Sequence, residues 1–156
     1  MRALWITAAL IFVFDQLVKW YVVHVLELNR ILALDVFPPF LNLRMTWNYG
    51  INFGLFSGGD GTRWVLIAVA VAICAVVLWW MRSEQKRLAL VSAGFLVGGA
   101  LGNVVDRVIY GGVADFLNMS CCGFTNPYAF NVADIAIFVG AVGLILFASD
   151  DKPKRA

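Results

Sequence analysis

Apolar residues run nearly uninterrupted four times along the chain, near residues 3–25, 64–81, 88–105 and 132–148. Each run approaches the ~20 residues that a helix needs to cross a bilayer. The pattern therefore predicts four transmembrane helices. The stretches near 27–62 and 107–130 read differently. In the first, Leu41, Leu43, Met45 and Trp47 alternate with other residues, which is the period of a strand, so one or two short strands are expected there. Gly58, Gly59 and Gly61 mark a flexible end to that stretch. The second contains Gly111-Gly112, the pair Cys121-Cys122 and Pro127.

Composition agrees with spans rather than with a buried soluble core. Of 156 residues, 62% are hydrophobic and 14% charged, against about 45–50% and about 25% in soluble domains. One domain of this size exposes too much surface to hide that apolar content in water. An ordinary soluble enzyme, a disordered chain and a basic nucleic-acid binder are all excluded. Net charge is +2 with no basic stripe, so no nucleic-acid partner is expected. With one histidine, His24, and no Cys-x-x-Cys, zinc and thioredoxin-like chemistry are not expected either.

The cations orient the spans. Arg2, Arg82, Lys86, Arg87, Lys152, Lys154 and Arg155 fall on one side of a four-span chain, and Arg30, Arg44, Arg63 and Arg107 on the other. The positive-inside tendency makes the first side cytoplasmic, with both termini there. The first run is long for a secretory signal core, carries Asp15 and Lys19 and lacks a clear small-x-small cleavage site. It is read as a retained helix.

Ionisable groups inside spans are expensive and tend to face the protein interior. Asp15 and Lys19, four apart, share a helix face and read as a structural ion pair. Asn103, Asp106 and Arg107 are spaced to share a face at the far end of the third span. Asn131 and Asp134 have the spacing of an N-cap and its third helical residue. Asp115, taken alone, reads as a loop carboxylate in water. For each of these groups singly the structural reading leads. Together, Asp106, Arg107, Asp115, Asn131 and Asp134 gather at one membrane face. Asp115 and Asp134 flank a single connection, and two adjacent carboxylates can share one proton and activate water. A helix N-terminus favours charge on Asp134, whereas Asp115 has no evident partner. Gly94, Gly98 and Gly102 place small residues on one face of the third span for close helix packing.

Five blocks in order resemble the lipoprotein signal peptidases (signal peptidase II), bacterial inner-membrane aspartic proteases. They are Asp15-Gln16-Leu17-Val18-Lys19, Asn48-Tyr49-Gly50-Ile51-Asn52-Phe53-Gly54, Gly102-Asn103-Val104-Val105-Asp106-Arg107, Val113-Ala114-Asp115-Phe116 and Phe130-Asn131-Val132-Ala133-Asp134. The resemblance implies an α-helical integral membrane protein, a single peptidase domain of four transmembrane helices with a small extracytoplasmic β-like platform near 27–62. It implies that Asp115 and Asp134 are catalytic. Asn103, Asp106, Arg107 and Asn131 would shape the site, and Asn48, Gly50 and Phe53 would belong to a loop over it. Asp15 and Lys19 match the polar pair of the first span. The implied reaction cuts a prolipoprotein just before a Cys bearing a diacylglyceryl group. It implies no metal and no cofactor, contact with membrane lipid, a monomer, and an active site near the outer face of the inner membrane. Asn52 stands where the family has a small residue. Cys121 and Cys122 are outside the pattern, and adjacent cysteines bridge only with strain, so free thiols are expected. A small ion- or solute-coupled carrier using Asp15, Lys19, Asp106 and Asp134 is the alternative from another class. A scaffold subunit whose aspartates only cap helices is a second.

Overall fold

The computed structural model describes residues 1–50 and 59–148, side chains at 59 and 60 excepted. Helix α1 spans Arg2–Trp20 and runs on into a π-helical turn, Tyr21–Val25. There the Leu26 N–H reaches back to the Tyr21 carbonyl at 2.9 Å, and the chain swings out of the helix axis. A short helix α2 (Leu28–Ile31) leads into strands β1 (Ala33–Phe37) and β2 (Leu41–Asn48). Helices α3 (Gly59–Met81) and α4 (Arg87–Tyr110) come next, then β3 (Val113–Asn118) and α5 (Val132–Phe147).

Helix α4 is central. Gly94 and Gly98 let α1 approach so closely that an added Cβ at Gly98 would lie 2.5 Å from the Ala8 carbonyl oxygen. Gly99, on the other side of α4, and Gly140 of α5 bring the α5 backbone equally near. The small-residue face expected of the third span is thus one of two, each seating a neighbouring helix. Leu4, Ala8, Val77, Met81, Val97 and Leu144 fill the apolar core between α1, α3, α4 and α5. Large apolar side chains such as Leu10, Trp79, Phe138 and Ile145 point outward, which suits hydrocarbon rather than water.

Among the described residues, three helices are long and apolar enough to cross a membrane: α1 with its π-turn, α3 and α4. The fourth predicted span is a helix of 16 residues, about 24 Å at 1.5 Å per residue, and so shorter than the other three. The predicted boundaries differ elsewhere too. Helix α3 starts at Gly59, ahead of its apolar run. Helix α4 continues to Tyr110, where Gly111 caps it at φ 82°, so Asp106 and Arg107 are helical and the second intervening segment begins at 111.

The strands form an antiparallel sheet in the order β1-β2-β3. Two strands appear where one or two were expected, and β3, unforeseen, contains Asp115. Its pairing with β2 shifts register between Leu43 and Thr46, so that Thr46 lies opposite Asp115 and Asn48 opposite Val113. Leu43 and Phe116 pack with Val22 and Leu28 in a second apolar cluster, which seats the sheet on the end of α1. The Trp47 ring lies 5.3 Å from that of Tyr110, at the end of α4.

Candidate active site

The polar residues of the spans converge where the sheet meets the ends of α1 and α4 and the start of α5. On α1, the Lys19 ammonium donates to Asp15 Oδ2 at 2.9 Å and to Asp106 Oδ2 at 2.7 Å. It also donates to Asn103 Oδ1 at 3.0 Å. All four residues are buried. The expected Asp15–Lys19 pair is therefore part of a larger cluster that spans two helices. Desolvating a lone ammonium here would be costly, and two carboxylates and an amide oxygen offset that cost. Asp15 Oδ1 accepts from the Ala133 N–H of α5 at 2.9 Å, so the same carboxylate ties α1 to α5.

Sequence reasoning assigns Gln16 no role of its own. In the structure its amide donates to Asp15 Oδ2, Asp106 Oδ1 and the Gly102 carbonyl at 3.1–3.3 Å, bridging two buried carboxylates. A polar side chain inside an apolar span is the signal that could have found it.

Lys19 fixes the Asn103 amide by occupying its oxygen. The Asn103 nitrogen then donates to Asp134 Oδ1 at 2.9 Å. Asn131 caps α5: its Oδ1 accepts from the Asp134 N–H at 2.9 Å, and its own N–H donates to Asp134 Oδ2 at 3.2 Å. This is the reciprocal box that the Asn131/Asp134 spacing predicts. With Oδ1 committed, the Asn131 Nδ2 points the other way. It donates to Asp115 Oδ1 at 2.6 Å and to Asn103 Oδ1 at 3.3 Å. Asn48, at the end of β2, donates to Asp115 Oδ2 at 3.1 Å and accepts from the Gly50 N–H at 3.2 Å.

Each of the four oxygens of Asp115 and Asp134 thus accepts one N–H, and Asn131 serves both carboxylates. This corrects the reading of Asp115 as a loop carboxylate in water without an evident partner. It is a strand residue, 2% exposed, held by two amides. Burial, and then the nearby charge of Asp134, push its carboxyl up to about 7, against the pull of its two amide partners.

Asp106 and Arg107 do not act on a common face. Asp106 turns to Lys19 and accepts from the Ala114 N–H at 3.4 Å, which ties the start of β3 to the cluster. Arg107 turns the other way and donates to the carbonyls of Asn103 and Gly50 at 3.3 and 3.4 Å. Adjacent residues on a helix point about 100° apart, so the two divide between α1 and the Gly50 segment. The Arg107 Nε is buried with no partner among the described residues. Phe53 and Asn52 lie outside the described residues. Cys121 and Cys122 are free thiols on the surface.

Asp134, Asn103, Arg107, Asn48 and Gly50 form the polar end of a cavity of about 490 Å³ whose other walls are apolar. Leu66, Val69, Ala70 and Ile73 of α3, Leu96 and Ala100 of α4 and Ile137 of α5 line it.

Residues 7–149 match the family model described as signal peptidase (SPase) II. A lipoprotein signal peptidase of Alteromonas mediterranea is 40% identical over 157 residues, covering 97% of this chain and 84% of that protein. One from Rhodopseudomonas palustris (strain TIE-1) is 40% identical over 145 residues, covering 90% and 87%. A solved structure described as a bacterial membrane enzyme, determined in meso, matches with a TM-score of 0.77 at 26% identity, covering 97% of this chain and 92% of that one. With a match over nearly its whole length and a helical membrane architecture carrying a small sheet, the chain belongs to the signal peptidase II family of bacterial membrane peptidases.

Proposed function

We propose that this peptidase removes the signal peptide from diacylglyceryl-modified prolipoproteins by two-aspartate activation of water, with Asp115 and Asp134 as the catalytic pair. One observation carries the assignment. Asp115, buried, and Asp134, half-buried, are joined through Asn131, whose side-chain amide donates to one carboxylate and whose backbone N–H donates to the other, and every oxygen of both is held by one N–H. Such a pair is preorganised, and each oxygen keeps a lone pair for water or substrate.

The raised carboxyl of Asp115 makes it the protonated partner near neutral pH. Asp134, at the positive end of α5, is then the ionised one. Asp134 takes a proton from water as the oxygen attacks the scissile carbonyl, and Asp115 gives its proton to the developing oxyanion. As the tetrahedral intermediate collapses, the C–N bond breaks, the leaving amine takes the proton held by Asp134, and Asp115 recovers its own from the hydroxyl. Asn103, Asn131 and Asn48 orient the carboxylates, Lys19 with Asp15 and Asp106 holds Asn103, and Arg107 anchors the Gly50 segment. Gly50 borders the cavity, and Phe53, outside the described residues, is assigned to substrate contact by the family resemblance alone. The apolar cavity between α3, α4 and α5 suits the signal segment, whose C-terminal end would meet the polar wall.

The same reading takes the chain as one monomeric domain crossing the inner membrane four times, α5 included. Both termini are cytoplasmic, the site lies near the outer face, and lipid covers the outward apolar side chains. Burial of the polar cluster at one end of the helices supports this arrangement over a carrier, which needs polar groups through the membrane.

The test is release of the signal peptide from a purified, lipid-modified prolipoprotein in detergent, with and without a chelator. Wild-type protein should cleave in both conditions, and Asp115→Asn and Asp134→Asn should not. Cleavage by either variant at the wild-type rate would overturn the assignment. Maleimide labelling of single cysteines placed in the Arg82–Lys86 turn, in intact cells and in lysed ones, checks the sidedness.

A further inference from the structure

A second cavity, of about 470 Å³, lies on the sheet, walled on one side by the β1–β2 hairpin and on the other by the 118–130 segment. Its lining is of opposite character to that of the first. Asp35 and Arg44, paired at 2.5 Å, together with Asn42, Thr46, Asn118 and Asn126, give it donors and acceptors. The far wall is built rather than loose. Asn118 donates to the carbonyls of Asn126 and Tyr128 at 2.8 and 2.9 Å, and the Asn126 N–H donates to Ser120 Oγ at 3.1 Å. On the near wall, Asn42 is 8% exposed and donates to the Pro39 carbonyl at 3.2 Å. Its Oδ1 is left without a hydrogen-bond partner among the described residues. A buried acceptor with no donor is unusual in a folded protein and calls for an explanation.

The two cavities meet at β2. Asn48 lines the apolar one and Thr46 the polar one, two residues apart, or about 7 Å along a strand. Asp115 sits between them, hydrogen-bonded to Asn48 and opposite Thr46 in the ladder. A chain passing from one cavity to the other would cross the carboxylate pair.

We propose that the polar cavity is a subsite for the hydrophilic segment on the C-terminal side of the lipid-modified Cys in the substrate, bound extended through its peptide groups. The inference rests on the peptidase reading and deepens it: the apolar cavity takes the residues on the N-terminal side of the scissile bond, and the polar cavity takes those on the C-terminal side. An extended peptide offers N–H and C=O groups at regular intervals, which matches a wall of asparagines and one charge pair better than it matches an acyl chain. The N–H groups of the bound segment supply donors to the near wall, where Asn42 has acceptor capacity unspent.

The experiment compares two synthetic substrates with the same signal segment and diacylglyceryl-Cys. One ends at the Cys amide and the other continues for five polar residues. The enzyme should show a lower KM for the longer substrate, by about 3- to 10-fold, the worth of one to two hydrogen bonds. Asn42→Ala should collapse this preference toward one, and Asn42→Asp, which keeps an acceptor, should restore much of it. A purely structural defect would shift both substrates together and leave the ratio intact. Equal KM values in the wild type, or an unchanged ratio in Asn42→Ala, would overturn the subsite. Failure of the wild type to cut even the short substrate would instead overturn the peptidase reading.

Discussion

Asn131 donates to Asp115 Oδ1 at 2.6 Å while its own side-chain oxygen accepts from the Asp134 N–H at 2.9 Å. One amide thus caps a helix and aims the carboxylate of a strand. Replacing it should harm both. Asn131→Ala should cost about 1 kcal/mol of stability through the lost cap and lower kcat by about 10²- to 10³-fold, as loss of an oriented donor does. Asn131→Asp keeps the cap acceptor but offers Asp115 no donor and adds a third carboxylate. Its melting temperature should lie nearer wild type than that of the alanine variant, and its kcat should stay low. Detergent melting curves beside single-turnover rates check this.

The position of Asp115 has a consequence for pH. Its carboxyl is pushed up to about 7 in the folded chain, from about 3.9 when unfolded. Between these values the folded state holds more protons than the unfolded one, so stability contributed by this group is full below about pH 4 and is lost as pH rises to about 7. Melting temperature should therefore fall across that window, and Asp115→Asn should flatten the curve. If Asp115 acts as the protonated partner, kcat/KM should also decline above about pH 7. A rate that climbs steadily to pH 9 would contradict that role.

Lys19 is matched to two buried carboxylates. Lys19→Met leaves Asp15 and Asp106 facing each other without a cation, and breaking a buried cluster in this way costs about 3–5 kcal/mol. The triple change Lys19→Met, Asp15→Asn, Asp106→Asn removes the charges together and should recover much of the melting temperature. Activity should not return with it, because Asn103 loses the ammonium that orients its amide toward Asp134.

Close packing at Gly98 and Gly102 should tolerate no methyl group. A Cβ at Gly102 would fall 2.5 Å from Asp15 Oδ2, and one at Gly98 2.5 Å from the Ala8 carbonyl. Both alanine variants should be destabilised, by about 1–3 kcal/mol. Gly102→Ala should lower activity as well, since it displaces a carboxylate that holds Lys19 and the Ala133 N–H. Gly61→Ala, where an added Cβ meets nothing within 4 Å, is the control.

Much of this was legible along the chain, because a bilayer asks for long apolar runs and tolerates few charges inside them. Three long spans, the Asn131–Asp134 cap and the Asp15–Lys19 pair follow from spacing alone, since i, i+3 and i, i+4 neighbours meet on any helix. Their partners do not. That Lys19 reaches Asp106, that Gln16 bridges two carboxylates, and that Asp106 and Arg107 diverge depend on how α1 and α4 are rotated against each other. That rotation is set by the glycines and by the side chains they admit.

Asp115 marks the limit most clearly. Its neighbours in sequence name no partner, and a short run such as Val113–Asn118 fits a loop or a strand. Only the antiparallel ladder with β2, shifted in register after Leu43, brings Asn48 to one of its oxygens, and only the cap of α5 brings Asn131 to the other. The sequence by itself determined that the protein lives in a membrane and which few polar residues it keeps there, because hydrocarbon penalises each residue one at a time. Tertiary structure alone decided which of those residues touch and how strongly Asp115 holds its proton, because hydrogen bonds and desolvation depend on distances between segments far apart in the chain.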